Sequence, residues 1–348
     1  MDEAGGVAPA KEKSDAGSAL HSPSAAACAF SAVRSEIRSL RLKDPYEVDV
    51  TAVLHNSLRY PVYSDRLDWE TVRMDAGGVP RAWTRTTGVN YWPAVIAWYG
   101  LVRLGDYHRS KAPRHMDAFL NQLGWLERNA VVREDGAVVW QNNFDYPEDG
   151  IVLRAPWVSA HSQGLVISAV VRGWRITKKP RLLSLLEGSS RIFDLDASRG
   201  GIRAQVEENV FYTEVPGGSL PGILDGFLVA LIGLHDLRVE TGDANVERQL
   251  ADGIEGLRKL LPWWNYQDKW SWYGRRLYLC PPLYHHWNRA LLSVIGGFAG
   301  CADLTELAER WNPVRLSGVE RAWIHFAFLA TKNWARIRHA TWVQKTVR

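Results

Sequence analysis

Glu214 stands two residues after Tyr212 and just ahead of the turn Pro216-Gly217-Gly218, which leads into a long apolar stretch. A carboxylate in a loop at a helix N-terminus is open to ligand, backed by a rigid scaffold, and close to unpaired N–H groups that attract anions. Desolvation by aromatic neighbours raises such a carboxyl toward neutrality, where it serves as a general acid or base. A helix-dipole partner or a salt bridge is the plainer use of a lone glutamate. Tyr212 and the double glycine bring the two uses level.

A second cluster is Trp270-Ser271-Trp272-Tyr273-Gly274-Arg275-Arg276, followed by Tyr284-His285-His286-Trp287-Asn288. A phenol titrating near 10 is a poor base, so a catalytic phenolate requires a close cation. Arg275, Arg276, His285 and His286 are candidates for that cation, and the arginines can also fork a carboxylate. The structural alternative is aromatic packing of a loop against helix ends.

The third cluster, Pro156-Trp157-Val158-Ser159-Ala160-His161-Ser162-Gln163-Gly164, opens a helix. Ser159 reads as the N-cap, with Trp157 beside it and with His161 and Gln163 in a first turn that faces ligand. Ser159 and His161 are two apart and cannot face one another on a helix, and no G-x-S-x-G elbow is present, so this is not a triad. His285 and His286 are adjacent and share no helix face, and there is no H-E-x-x-H pattern. The phosphate-cradling glycine loops are missing too, so neither metal nor cofactor is expected.

Helices must position these clusters. From about residue 91 amphipathic helical segments alternate with short Gly/Pro/Asn breaks, and the spacing predicts helix pairs over 93–104 with 115–128, 162–177 with 181–195, and 220–240 with 245–261. The repeated hairpin predicts an all-α fold, an open solenoid or a closed (α/α) toroid, with short β segments in the loops. The loops 134–157, 199–221 and 264–284 fall at one end of each unit, where a toroid brings them together as the rim of a cleft. Residues 1–30 read as a disordered leader, 31–89 as an N-terminal extension packed on the toroid, 90–330 as the catalytic domain and 331–348 as a basic tail.

Composition bounds the partners. The 348 residues, 46% hydrophobic, suffice for a large core, and the 17 Trp and 12 Tyr suit both thick helix packing and a cleft that stacks on flat ligands. A net charge of +4 from nearly balanced bases and acids argues against a nucleic-acid footprint. Cys28, Cys280 and Cys301 are too scattered for a disulfide framework or zinc site. With no long apolar run for a membrane span and no secretory h-region, a cytoplasmic location is expected. A homodimer is compatible with the chain.

The three clusters, in this order, resemble the C-terminal catalytic domain of the D-glucuronyl C5-epimerases. The family pattern Pro-Trp-x-Ser-Ala-x-x-Gln-Gly-x-x-Ile-Ser is matched by residues 156–168, Tyr-x-Glu-x-Pro by 212–216, and Gly-Leu-Tyr-Asp-Leu by Gly233-Leu234-His235-Asp236-Leu237. Trp-Ser-x-Tyr is matched by 270–273 and Tyr-His by Tyr284-His285. The resemblance spans about 90–295 and implies an (α/α) toroid that removes the proton beside a uronate carboxylate and returns it from the other face. It places Glu214, Tyr273 and Tyr284 on catalytic positions.

This chain departs from the pattern in specific places. A second Tyr commonly follows the loop glutamate, where Val215 stands here, and the family's Leu-Asn-Gly-Phe reads Leu224-Asp225-Gly226-Phe227. Three readings follow. The first is a cofactor-independent acid/base enzyme for a small molecule, such as a natural-product isomerase or a cyclase working by dehydration or conjugate addition. Losing a phenol and gaining Asp225 favours it. The others are a true uronate C5-epimerase of a heparosan-like glycan and a non-catalytic glycan-binding toroid.

Overall fold

The computed structural model describes residues 33–54, 57–64, 72–84, 86–148, 151–217, 221–275 and 278–346. The leader expected over 1–30, and Arg276 among the expected site residues, lie outside the described residues.

Four helical hairpins follow one another. They are α1 (Pro93–Ser110) with α2 (Pro113–Arg128), α3 (Ala160–Thr177) with α4 (Pro180–Ser189), α5 (Leu224–Thr241) with α6 (Ala244–Leu260), and α7 (Pro282–Ala299) with α8 (Ala302–Arg310). Each odd-numbered helix packs on the next, α1 on α3, α3 on α5 and α5 on α7, while its even-numbered partner covers it from outside. The sequence records this division: α5 is buried without a break from Leu224 to Leu237, whereas α6 buries only one stripe, including Val246, Gln249, Leu250, Gly253 and Leu257.

Aromatic rings close the circle. Trp98 on α1 meets Trp287 on α7 edge to face at 4.8 Å, and Tyr46 and Tyr60 from the N-terminal extension flank the pair. The result is the expected (α/α) toroid, mostly helical with short strands in its loops.

The closest helix approach is between α3 and α5. A Cβ added at Gly233 would lie 2.5 Å from Gly164 O, and one added at Gly164 would lie 2.5 Å from Val229 O, so backbone meets backbone there. One turn further along, Arg172 grips Asp236 through two hydrogen bonds of 2.6 and 3.3 Å. The guanidinium also donates to Ser168 O and Arg59 O and lies over the Tyr60 ring, so the buried charges are well compensated.

Short antiparallel strand pairs fill the loops between hairpins, at Val131–Val132 with Val138–Val139, Tyr146–Glu148 with Ile151–Leu153, Arg203–Val206 with Asn209–Tyr212, and Asn265–Tyr266 with Trp270–Ser271. The described part of the N-terminal extension carries a three-stranded antiparallel sheet over 72–90 and a strand Glu47–Val48 that gives way to a helical turn at Val50–Leu54.

Two regions differ from the sequence reading. The fourth hairpin went unrecognised: residues 283–288, expected in a loop, form the first turns of α7, started by Pro282 at its N-terminus. A last helix, α9 (Gly318–Thr346), passes through residue 331 without interruption. Its inward side chains, Ile324, Ala327 and Phe328, pack on Trp270, Leu279 and Cys280. Among the described residues no helix is long and apolar enough to cross a membrane.

Candidate active site

The N-termini of the odd-numbered helices meet at one end of the toroid. Trp92 immediately before α1, Ile223 immediately before α5, and Trp157 just ahead of α3 pack into a single cluster with Phe144, Leu153 and Val215, and Tyr273 from the loop before α7 lies against it. The first turns of α1, α3 and α7 carry no acid, and that of α5 carries only Asp225. Several helix ends, each worth roughly half a positive charge, therefore face one region, where Glu214 and Asp225 offset them.

Glu214 lies on the first turn of α5. A Cβ at Gly226 would come within 2.5 Å of Glu214 Cβ and 2.6 Å of its Oε2, so only glycine admits the glutamate there. Glu214 Oε1 is 3.7 Å from His161 Nδ1, while Oε2 is buried with no hydrogen-bond partner. Asp225 is almost fully buried, and its Oδ1 also has no partner. Orphaned buried carboxylate oxygens are costly and mark a place where a ligand group belongs.

The charges here are interdependent. Burial and the charge of Glu214 push Asp225 up to about 7, despite the nearby His161 and the N–H groups of Asp225 and Gly226. Burial works against protonation of His161, but the hydrogen-bonding influence and charge of Glu214, with Asp225 behind it, hold its pKa above the ordinary value. Asp225 and His161 are thus both held above their ordinary values beside the Glu214 carboxylate, the kind of perturbation that clusters at functional sites.

Two phenols form the opposite part of the site. The Tyr273 and Tyr284 rings meet edge to face at 5.5 Å, and Tyr273 stacks on Tyr278. Burial first, then Asp225 and the neighbouring phenol and carboxyl groups, push both well above 10. Tyr284 is nevertheless 41% exposed, and Glu214 and His161 keep about a quarter of their side-chain surface. Solvent therefore reaches all three side chains.

Both phenols are thereby held in the protonated form. Arg275 does not approach them but lies over Trp263 at 4.5 Å, with its N–H donating to Pro221 O. His285 is fully buried, accepts from Ser271 N–H at Nδ1 and faces Trp311 O through Nε2 at 2.8 Å. Stacked on Trp270 and held well below its ordinary pKa by burial, it is a neutral structural residue. His286 turns away toward Asp44, 3.5 Å from its Oδ2.

Other expected binding residues make their contacts within the protein. Gln163 donates to Val138 O and Ser189 O and ties α3 to the outer wall. Tyr212 is buried, its hydroxyl donating to Gln249 O. Ser159 occupies the N-cap position of α3 without a side-chain cap bond. Trp157 donates to Phe144 O and stacks on Tyr146, backing the site from within the aromatic cluster. Val215 is buried in the same cluster, 3% exposed, and does not line the cleft.

The sequence reading missed Tyr46, Cys280 and Asn288. Asn288, one turn after Tyr284, donates to Cys280 Sγ and leaves its own Oδ1 without a partner. Tyr46 is partly buried and feels the charges of both Tyr284 and Asp225, which brings the N-terminal extension to the site. The i, i+4 spacing of Tyr284 and Asn288 would have revealed Asn288 had α7 been recognised, whereas nothing in the pattern around Tyr46 marks it. Among the described residues no group of three or more His, Cys, Asp or Glu is placed to hold a metal.

Residues 134–313, over half of the chain and all of the candidate site apart from Tyr46, match the family described as D-glucuronyl C5-epimerase C-terminus. The chain belongs to this family. It is 28% identical over 218 residues to the D-glucuronyl C5-epimerase of Caenorhabditis elegans, covering 57% of this chain and 35% of that one. An uncharacterized protein of Methanocaldococcus jannaschii is 24% identical over 226 residues, covering 62% of this chain and 72% of that one. The chain therefore spans about a third of the length of its nematode relative. A solved family 76 glycoside hydrolase (mannosidase) from Bacteroides thetaiotaomicron aligns with a TM-score of 0.43 and 13% identity, over 67% of this chain and 60% of that one.

Proposed function

We propose that this C5-epimerase family member is a cofactor-independent acid/base enzyme that removes and returns a C–H proton beside a carboxylate or carbonyl, on a small molecule rather than a long glycan. The observation that carries the reading is Asp225, a buried carboxyl titrating at about 7 beside Glu214 and His161. The family pattern has an amide at this position, so the extra proton is a property of this chain.

The parts divide by charge. Glu214, 3.7 Å from His161, is the base, and its Oε2 has no hydrogen-bond partner. Asp225, protonated up to about neutral pH, donates to the oxygen on which charge develops as the carbon loses its proton, assisted by the converging helix N-termini. Tyr284, with Tyr273 against it, is the acid that returns a proton from the other wall. If the intermediate instead expels a β-substituent or is captured within the same molecule, this cluster yields elimination or ring closure.

A small substrate is supported by Val215, an apolar residue where the family pattern commonly has a second phenol. Family membership keeps uronate epimerisation of a heparosan-like glycan as the second reading. Incubating the protein in D2O with monomeric glucuronides and small β-hydroxy and β-keto acids on one side, and with heparosan on the other, distinguishes them by mass spectrometry. Turnover of heparosan with no turnover of any small acid would overturn the proposal.

A further inference from the structure

A cavity of about 490 Å³ lies at the far end of α1 from the candidate active site, between the second half of that helix and segment 59–63 of the N-terminal extension. Trp92 stands at the site and His108 at the cavity, 16 residues further on, which is roughly 24 Å along the axis at 1.5 Å per residue. Among the described residues, none that the candidate active site uses lines this cavity. Its volume is that of a small-molecule pocket.

Three bases line it: Arg59 from the extension, Arg109 from the last turn of α1, and Lys111 at the left-handed C-cap. Asp49 pairs with Arg59 at 2.6 Å and Glu47 with Arg109, but both pairs are open to water, where such contacts contribute little. A guanidinium carries five N–H donors in a fork, so each arginine keeps donors for an incoming anion beside its carboxylate. Lys111 makes no ion pair with any described residue and lies 5.7 Å from the centre of the Tyr107 ring. The potential deeper in is positive as well. Burial first, then the charges of Lys111, Arg59 and Arg172, hold His108 below its ordinary pKa, with no described carboxylate offsetting them.

Two polar atoms of the lining residues lack partners. Tyr60 is 5% exposed and its hydroxyl has no hydrogen-bond partner, and neither has the buried Nε2 of His108. Burial, then the charge of Asp236, pushes the Tyr60 phenol up, so it keeps its proton and is a donor. Buried polar groups are nearly always satisfied, and a donor left over beside a cavity calls for an acceptor that the protein does not supply. The helix dipole of α1 accounts for bases in its last turn, but not for Arg59 or for the orphaned hydroxyl. Pro61, Val62 and Leu101 are buried and give the cavity an apolar floor. A Cβ at Gly105 would lie 2.7 Å from the Tyr63 ring, so that ring rests on the helix backbone and the wall is firmly packed.

We propose that this cavity binds a small organic anion, a carboxylate or phosphate ester on an apolar body, held by Arg59, Arg109 and Lys111 with the Tyr60 hydroxyl donating to it. Calorimetric titration of the full chain with benzoate, phenyl phosphate, inorganic phosphate and benzyl alcohol is the test. At least one aromatic anion should bind about tenfold or more tightly than both inorganic phosphate and the neutral alcohol, and the tighter of the two identifies the head group. Arg59→Gln with Lys111→Gln should weaken that binding about tenfold or more, and Tyr60→Phe about threefold or more, with the ligand-free melting curve preserved. No binding of either aromatic anion, equal affinity for benzyl alcohol or inorganic phosphate, or anion affinity unchanged in these variants would each overturn the proposal.

Discussion

Replacing Asp225 by Asn removes a buried carboxyl that titrates near 3.9 in an unfolded chain and at about 7 in the folded one. The folded state therefore holds a proton that the unfolded state has lost, and stability falls as pH rises between those two values. The full loss above pH 7 is up to roughly 4 kcal/mol at 1.36 kcal/mol per pH unit, of which roughly 3 kcal/mol accrues between pH 5 and 7. Asparagine has no such proton. Urea unfolding of both proteins at pH 5 and pH 8 should show the variant gaining roughly 3 kcal/mol relative to wild type at the higher pH. His161, whose raised pKa likewise gives stability that fades with rising pH, is present in both proteins and largely cancels. A difference between the two proteins that does not change with pH would refute the buried, proton-holding Asp225.

The site makes further demands. In a pH–rate profile, wild-type kcat/KM should decline as pH rises through about 7, and Asp225→Asn should lose that limb. Glu214→Gln and Tyr284→Phe should each lower turnover about a hundredfold or more with the melting curve preserved. Gly226→Ala forces the Glu214 side chain aside by occupying its place, and a base displaced by about 1 Å costs on the order of a hundredfold in kcat. Asp236→Ala leaves Arg172 charged and buried, so urea unfolding should show a loss of about 3–5 kcal/mol, against under about 1 kcal/mol if the pair were a surface contact.

The repeated hairpin was legible because apolar residues recur at helical spacing between short Gly/Pro/Asn breaks, a pattern set by local periodicity. The fourth hairpin was not, since Tyr284, His285, His286 and Asn288 read as polar loop chemistry, whereas α7 buries His285, His286 and Asn288 and leaves Tyr284 exposed. The Glu214 loop was legible from its Pro-Gly-Gly turn. What the sequence could not disclose was direction: Gln163, Tyr212 and His285 carry the residue types of a site but turn into the core, where each satisfies a backbone carbonyl or amide. Tyr46 reaches the site only because the extension closes the ring, a contact across more than two hundred residues that local pattern does not encode.

The central claim, that Glu214 takes a carbon-bound proton, is tested most directly by NMR of small carboxylic acids incubated with the protein in D2O at pH 7. Wild type should wash deuterium into the position beside the carboxylate or carbonyl, and Glu214→Gln, folded to the same melting point, should not. Exchange at the wild-type rate in Glu214→Gln would contradict the account.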